Sequence, residues 1–237
     1  MTIQKKLAKS ICFYSNPRSL LDIEFIVIHW TSNENDTAKN NAIYFSDGID
    51  REAGANFFVD SKEIWQSIPM KYSAKAVGGF YTKVGGAGKF YKKCTNSNSV
   101  SIELCNFKGN ATWEQLLLTR QLVLYIQEQC PNAKTIIRHW DVNGKDCPHG
   151  LTGLSNKKWN FMLKFLKGKA DFYATVTEHS NLFLKPDIES KKVGTKEKKE
   201  EVHIKKQSGN FGLLSKPDKY GNKQWIRLSH IRKEMNR

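Results

Sequence analysis

Apolar runs rich in β-branched residues recur through the first two thirds of the chain and are typical of buried strands. Three of them predict strands: EFIVIHW (24–30), SVSIELCNF (99–107) and TIIRHW (135–140). The first is nearly continuous, which predicts a central strand. ANFFVD and EIWQSIP are separated by only two polar residues and predict a hairpin.

Three other segments repeat apolar residues with helical spacing, and each begins near a capping residue. They cover residues 34–46, 112–129 and 155–168. Ser32 or Asn33 is expected to cap the first helix, and Ser155 the third. Thr112 and Gln115 match a capping box for the second. Strands that alternate with helices predict an α/β fold, with a mixed central sheet flanked by helices.

The pattern changes after Gly168, which is expected to end the third helix. Short strand-like runs separated by turn residues follow, without a long helical repeat. We therefore predict two domains, residues 1–168 and a small all-β barrel at 169–237. Within the first domain, the glycine-rich segment 78–98 is expected to be a long loop.

The charge and residue composition of the chain limit the kinds of function that it can have. The net charge of +15 predicts attraction to a polyanion, which includes nucleic acid, anionic lipid and cell-wall polymers. A specific nucleic-acid partner is not expected, because no recognisable nucleic-acid motif accompanies the charge. No run approaches the roughly 18 apolar residues of a membrane span. The five cysteines are irregularly spaced, which argues against a disulfide framework.

Two strands end alike, in IVIHW and IIRHW, and this places His29 and His139 at one sheet edge if the strands are neighbours. Cys147 follows across a loop in which Asn143 and Gly144 favour a turn. Two imidazoles and one thiolate form a three-ligand zinc set with one position open, as in catalytic zinc sites. Buried His and Cys also occur as ordinary packing residues, so the spacing leaves both interpretations open.

Four segments together resemble a known family, in its order and at its spacing. IVIHWTSN, GANFFVDSKEIWQSIP, SVSIELCN and RHWDVNGKDCPHG are similar to the zinc-dependent N-acetylmuramoyl-L-alanine amidases of type 2. This family shares its fold with phage T7 lysozyme and the peptidoglycan recognition proteins. The resemblance covers residues 22–166.

The resemblance implies a Zn²⁺ ion on His29, His139 and Cys147. It implies that Glu103 is the general base and acid, and that Lys145 stabilises the oxyanion. Without it, Glu103 and Lys145 would be interpreted as solvent-exposed charges. His149 has no assigned role: it is either an alternative ligand, a substrate contact or an exposed loop residue.

Two departures from the family concern other catalytic positions. Ala76 stands where many members carry a histidine, and Ala55 where some carry a tyrosine. Glu103 is therefore expected to be the main catalytic side chain.

Residues 174–232 resemble a bacterial SH3-type cell-wall-binding domain. The second domain is therefore expected to be an SH3-like barrel that binds a cell-wall polymer. Some of its aromatic residues are expected to contact the wall and others to fill the core: Phe172, Tyr173, Phe183, Phe211, Tyr220 and Trp225.

These resemblances imply a peptidoglycan hydrolase that cleaves the amide bond between N-acetylmuramic acid and L-alanine. The N-terminal segment has too short an apolar stretch for a secretory signal. A phage or prophage endolysin is therefore expected, made in the host cytoplasm and released to the wall through a holin-type pore. A bacterial autolysin and a non-catalytic peptidoglycan-binding protein are the alternatives.

Overall fold

The computed structural model describes residues 2–82 and 84–233, which belong to two compact units. The first unit extends to Trp159 and the second begins at Asn160. This division lies inside a helix, whereas the predicted boundary at residue 168 lies just beyond the end of that helix. The two divisions therefore differ over residues 160–168.

The first unit contains eight strands and most of the helical residues among those described. The strands are β1 (Ile3–Lys5), β2 (Phe13–Tyr14), β3 (Phe25–Trp30), β4 (Phe57–Val59), β5 (Ile64–Gln66), β6 (Ser73–Ala74), β7 (Ser99–Leu104) and β8 (Thr135–Arg138). The helices that lie wholly in this unit are α1 (Ala38–Ile43), which continues into a π-helical turn (Tyr44–Gly48), α2 (Trp113–Gln129) and α3 (His139–Asn143). The helix that contains the division is α4 (Lys157–Leu166). Short 3-10 helices lie at Ser10–Cys12, Leu20–Asp22 and Asn96–Asn98.

Six of these strands form one mixed sheet in the order β1-β5-β4-β7-β3-β8. β3 pairs in parallel with β7 and with β8, and β4 pairs in parallel with β7. The hairpin of β4 and β5 is antiparallel, as predicted. Five of the six residues of β3 are buried, in agreement with its continuous apolar sequence. The predicted mixed α/β architecture is confirmed.

Helix α2 is joined to the sheet by a buried amide. The side chain of Thr112 caps the helix by accepting a hydrogen bond from the Gln115 N–H at 3.1 Å. The Gln115 side chain donates to the carbonyl oxygens of Val59 and Cys105, both at 2.9 Å. Gln115 thus satisfies two backbone acceptors at the ends of β4 and β7.

Two helices begin later than predicted. Ser32 and Asn35 have left-handed backbone conformations (φ 63° and 60°), which a helix cannot contain, so α1 begins only after Thr37. Neither Ser32 nor Asn33 is therefore its cap. In α4 the Trp159 N–H donates to the Asn156 side chain at 2.9 Å, so Asn156 takes the capping role predicted for Ser155.

The second unit is built mainly from antiparallel strands. They are β9 (Phe172–Val176), β10 (Ser180–Phe183), β11 (Lys192–Lys196), β12 (Glu201–Ser208), β13 (Phe211–Leu214), β14 (Trp225–Arg227) and β15 (Ile231–Arg232). They form one sheet in the order β11-β10-β14-β13-β12-β9-β15. No helix among the described residues of either unit has the length and apolar character needed to cross a bilayer.

The structure of the second unit shows how its lysine-rich segment and its aromatic residues are arranged. The lysine-rich run 196–201 connects β11 and β12 without forming a hairpin, because these two strands pair with other strands. The aromatic residues separate into two groups by burial. Tyr173 and Tyr220 are 68% and 77% exposed, whereas the others are buried: Phe172, Phe183, Phe211 and Trp225.

Candidate functional site

The carboxyl ends of three neighbouring parallel strands meet at one edge of the first sheet. In the register of β3 and β7, His29 lies opposite Glu103. In the register of β3 and β8, Ile28 lies opposite Arg138, so His139 follows its strand beside His29. The two imidazole ring centres are 4.7 Å apart. The predicted neighbourhood of the two histidines is therefore confirmed.

A tight turn returns the chain from His139 to the sheet edge. His139 is the first residue of α3 and not, as predicted, part of the strand. Gly144 ends α3 with a φ of 84°, and a Cβ atom there would lie 2.2 Å from the Thr82 carbonyl oxygen. Asn143 holds the turn by donating to the Gly78 carbonyl at 2.7 Å. Glycine at position 144 is thus required both by conformation and by space.

The turn brings Cys147 to the two histidines. One donor atom from each of His29, His139 and Cys147 lies within 4.8 Å of the others, and Cys147 Sγ is 3.7 Å from His29 Nδ1. All three residues are buried. Glu103 Oε1 lies 4.0 Å from His29 Nδ1, and the Glu103 side chain is 19% exposed. Three potential metal ligands and a carboxylate therefore share one site.

Burial sets the ionisation of these groups. It lowers the pKa of His139 to about 4, aided by the positive charge of Lys145 and opposed by a hydrogen bond with the Gly78 backbone. It also lowers the pKa of His29 well below its usual value. Both imidazoles are therefore neutral at neutral pH, which is the form that binds metals. Burial raises the pKa of Glu103 to about 8, while the Lys145 charge lowers it.

Several buried polar atoms of the site have no hydrogen-bond partner. Among the described residues, these atoms include Nε2 of His29, Nε2 of His139 and Oε2 of Glu103. Buried polar atoms are normally paired, because an unpaired one loses its hydration without compensation. Two imidazoles and a thiol that lie within reach of one another are a donor set that suits a metal ion.

The cluster forms one wall of an open cleft with a volume of about 380 Å³. Lys145, which is exposed, lines this cleft together with Glu103. Ala76 lies on the wall and Ala55 is buried, so neither position supplies an imidazole or a phenol to the cleft. Further cationic and aromatic residues line it: Trp30, Tyr44, Arg51 and Lys75.

His149 lies outside the group of donor atoms. Its ring stacks on Trp30, with ring centres 5.3 Å apart, and its Nδ1 is 2.7 Å from Asp146 Oδ2. The side chain is 58% exposed. His149 is therefore an exposed loop residue in this structure and not a member of the cluster.

The sequence reasoning missed Arg138. This charged residue is buried immediately before His139, and it forms an ion pair with Asp141 at 2.8 Å. A signal was present in the sequence, because an arginine at the end of the apolar run TII requires a buried partner.

Comparisons with known proteins place this site in context. The Amidase_2 family model, described as N-acetylmuramoyl-L-alanine amidase, matches residues 19–150. A probable N-acetylmuramoyl-L-alanine amidase of Bacillus licheniformis is 29% identical over 139 residues, which are 54% of this chain and 37% of that protein. The N-acetylmuramoyl-L-alanine amidase XlyB of Bacillus subtilis (strain 168) is 23% identical over 216 residues, which are 90% of this chain and 59% of XlyB.

A solved structure has a similar fold. The PlyG catalytic domain superposes with a TM-score of 0.53 at 25% identity, and the match covers 70% of this chain and 94% of that domain. The chain spans between 37% and 59% of the length of the two curated relatives.

Proposed function

This chain belongs to the N-acetylmuramoyl-L-alanine amidase family, and from that premise we propose that it is a zinc-dependent peptidoglycan hydrolase. Its proposed reaction is cleavage of the amide bond between N-acetylmuramic acid and L-alanine. The arrangement that supports this proposal is the buried His29, His139 and Cys147 cluster beside Glu103 in an open cleft.

The residues of the cluster fit a zinc ion. Nitrogen and sulfur donors are those that Zn²⁺ prefers, and three protein ligands leave one position open, as catalytic zinc sites require. The distance of 3.7 Å between His29 Nδ1 and Cys147 Sγ is consistent with this assignment, because it places two donor atoms within reach of one ion. Cys147 must lose its proton to bind, which turns a buried thiol into the thiolate ligand.

Amide hydrolysis requires an activated water, a polarised carbonyl and a proton for the leaving nitrogen. A bound zinc ion supplies a Lewis acid that polarises the carbonyl and lowers the pKa of water. Glu103 is the group that would accept the proton of the attacking water and return it to the leaving nitrogen. Its place beside His29, on the wall of the cleft, supports this role.

Lys145 would stabilise the negative charge that develops on the carbonyl oxygen. The residue lines the same cleft, and its positive charge lowers the pKa of Glu103 and of His139. Its charge therefore acts at the place where the reacting groups would lie.

We further propose that the segment from residue 169 onwards, which lies in the second unit, is an SH3-like domain that binds a cell-wall polymer. The antiparallel sheet and the exposed rings of Tyr173 and Tyr220 support this proposal. A phage or prophage endolysin is the kind of amidase that this proposal favours, because an N-acetylmuramoyl-L-alanine amidase of this family acts on peptidoglycan. A bacterial autolysin with the same activity is the alternative.

The decisive experiment measures which chemical groups the protein releases from purified bacterial cell walls. We expect new L-alanine amino termini to appear without new reducing sugar ends, and a chelator to abolish this release. New reducing ends would instead indicate a glycosidase. Binding to the walls without any release would favour a peptidoglycan-binding protein without catalytic activity.

A further inference from the structure

Arg138 connects the two chain segments that carry His139 and Cys147. The residue is buried, with 3% of its surface exposed, and its guanidinium contacts the Asp141 side chain on one segment and the backbone of the other. Burial of a charge is costly unless the charge is paired, so a buried arginine requires a dense set of partners. Those partners lie around the proposed zinc ligands.

The first set of contacts closes the turn that begins with His139. Arg138 Nε donates to Asp141 Oδ2 at 3.0 Å, and Nη2 donates to Oδ1 at 2.8 Å. The Arg138 backbone N–H also donates to Asp141 Oδ2, at 2.8 Å. Three bonds thus fix the first turn of α3, whose first residue is His139.

The second set of contacts reaches the segment that follows Cys147. Arg138 Nη1 donates to the carbonyl oxygens of Leu151 and Gly153, the latter at 3.0 Å. The start of the same segment is held by the Trp140 N–H, which donates to the Cys147 carbonyl at 2.9 Å. The segment from Cys147 to Gly153 is therefore joined at both ends to Arg138 and its near neighbour Trp140.

Two indole rings complete the surroundings of the guanidinium. Its central carbon lies 4.5 Å from the ring centre of Trp140 and 5.0 Å from that of Trp159. Lysine cannot reproduce this arrangement, because an ammonium group is not planar and does not form the paired bonds of a guanidinium.

We propose that Arg138 is a positioning residue, which holds the segments of His139 and Cys147 at the separation that zinc binding requires. This inference rests on the proposed function, because it takes His29, His139 and Cys147 as the zinc ligands. Partners of metal ligands commonly affect affinity in this way, since they orient the ligands before the metal binds.

The test measures zinc binding rather than hydrolysis. Zinc affinity of the full chain is determined by competition with a chromophoric chelator, and Co²⁺ absorption reports the ligand geometry. We expect Arg138→Lys to weaken zinc binding about 10- to 100-fold and to alter the Co²⁺ spectrum. Leu122→Ala in α2 is the control, because it also destabilises the fold but lies outside the site. Its zinc affinity should equal that of the wild type.

The outcomes separate this proposal from the proposed function. A folded Arg138→Lys protein with wild-type zinc affinity and Co²⁺ spectrum would overturn the positioning role and leave the zinc site intact. A wild-type chain that binds no zinc would overturn the zinc site itself. If Arg138→Lys does not fold, the same zinc-affinity measurement is made on Asp141→Asn, which retains the guanidinium but removes the carboxylate that pairs with it. Unchanged zinc affinity in Asp141→Asn would equally contradict the proposal.

Discussion

His29 and Glu103 occupy paired positions on the parallel strands β3 and β7, with 4.0 Å between His29 Nδ1 and Glu103 Oε1. The sheet register therefore places a proposed zinc ligand beside the proposed acid and base. A shift of one residue in this register would turn Glu103 to the opposite face of the sheet. The alternating sequence of β7 opposes such a shift, because Ser101 and Glu103 would replace Ile102 and Leu104 on their buried face.

Replacement of Glu103 by glutamine should remove activity and retain the metal. Glutamine has nearly the same size but cannot accept and return a proton, so we expect amide hydrolysis to fall about 10²- to 10⁴-fold. Zinc content should be unchanged. The measurement is the release of amino termini from cell walls, with metal analysis of the same protein.

Glu34→Gln provides the matched control for this substitution. Glu34 is an exposed carboxylate paired with Lys108 at 3.9 Å, and it does not line the cleft. Its variant should retain full activity. Full activity in Glu103→Gln as well would remove Glu103 from the mechanism.

Replacement of Cys147 by alanine should abolish zinc binding, because the site would lose its only thiolate. We expect the zinc content to fall from about one ion per chain to a small fraction of that value. Cys130→Ala removes another buried cysteine that lies outside the cluster and should retain its zinc. Elemental analysis of both purified variants checks this. Equal zinc content in the two would contradict the assigned ligand.

Replacement of Lys145 by methionine should lower kcat by about 10²-fold with little change in zinc content, because a charge that stabilises the oxyanion would be lost. Lys134→Met is the matched control. Lys134 is exposed and directly precedes β8, at the opposite edge of the sheet from the site. Steady-state kinetics on a soluble muramyl peptide compares the two. An equal kcat in the two variants would show that Lys145 does not stabilise the oxyanion.

Replacement of Gln115 by alanine should destabilise the first unit. The carbonyl oxygens of Val59 and Cys105 would both lose a buried donor. We expect the free energy of unfolding to fall by about 2 to 3 kcal/mol, in the range for unsatisfied buried polar groups. Gln129→Ala, at the exposed end of the same helix, should change it by less than about 0.5 kcal/mol. Denaturant titration measures both, and similar values would argue against the Gln115 contacts.

Replacement of Tyr173 by alanine should weaken binding to cell walls if the second unit binds a wall polymer. Exposed tyrosine rings supply contact area at a low entropic cost, and the expected loss is about tenfold in affinity. Ile188→Ala, another exposed apolar residue of this unit, is the control. Co-sedimentation of the full chain with purified walls gives the affinities. Unchanged binding would place the contact surface elsewhere.

Local pattern was sufficient to predict the main elements of the first unit. The apolar run of β3, the hairpin of β4 and β5, and the helix α2 are all present where the sequence predicts them. Such features depend on the burial of a few neighbouring residues, so periodicity reveals them. The similar endings of β3 and β8 also predicted that His29 and His139 meet at one edge if the two strands are neighbours, and the sheet order supplies that condition.

Other features depended on contacts between distant residues. The left-handed backbone at Ser32 and Asn35 delays α1, and no local pattern signals it. The position of Arg138 at the end of an apolar run indicates burial, but only the fold identifies its partners Asp141 and Leu151. Likewise, the exposure of Tyr173 but not Phe172 follows from the alternating faces of β9. Residue types identify the candidate chemistry, whereas packing and sheet register decide which side chains meet, because these contacts join residues far apart in the chain.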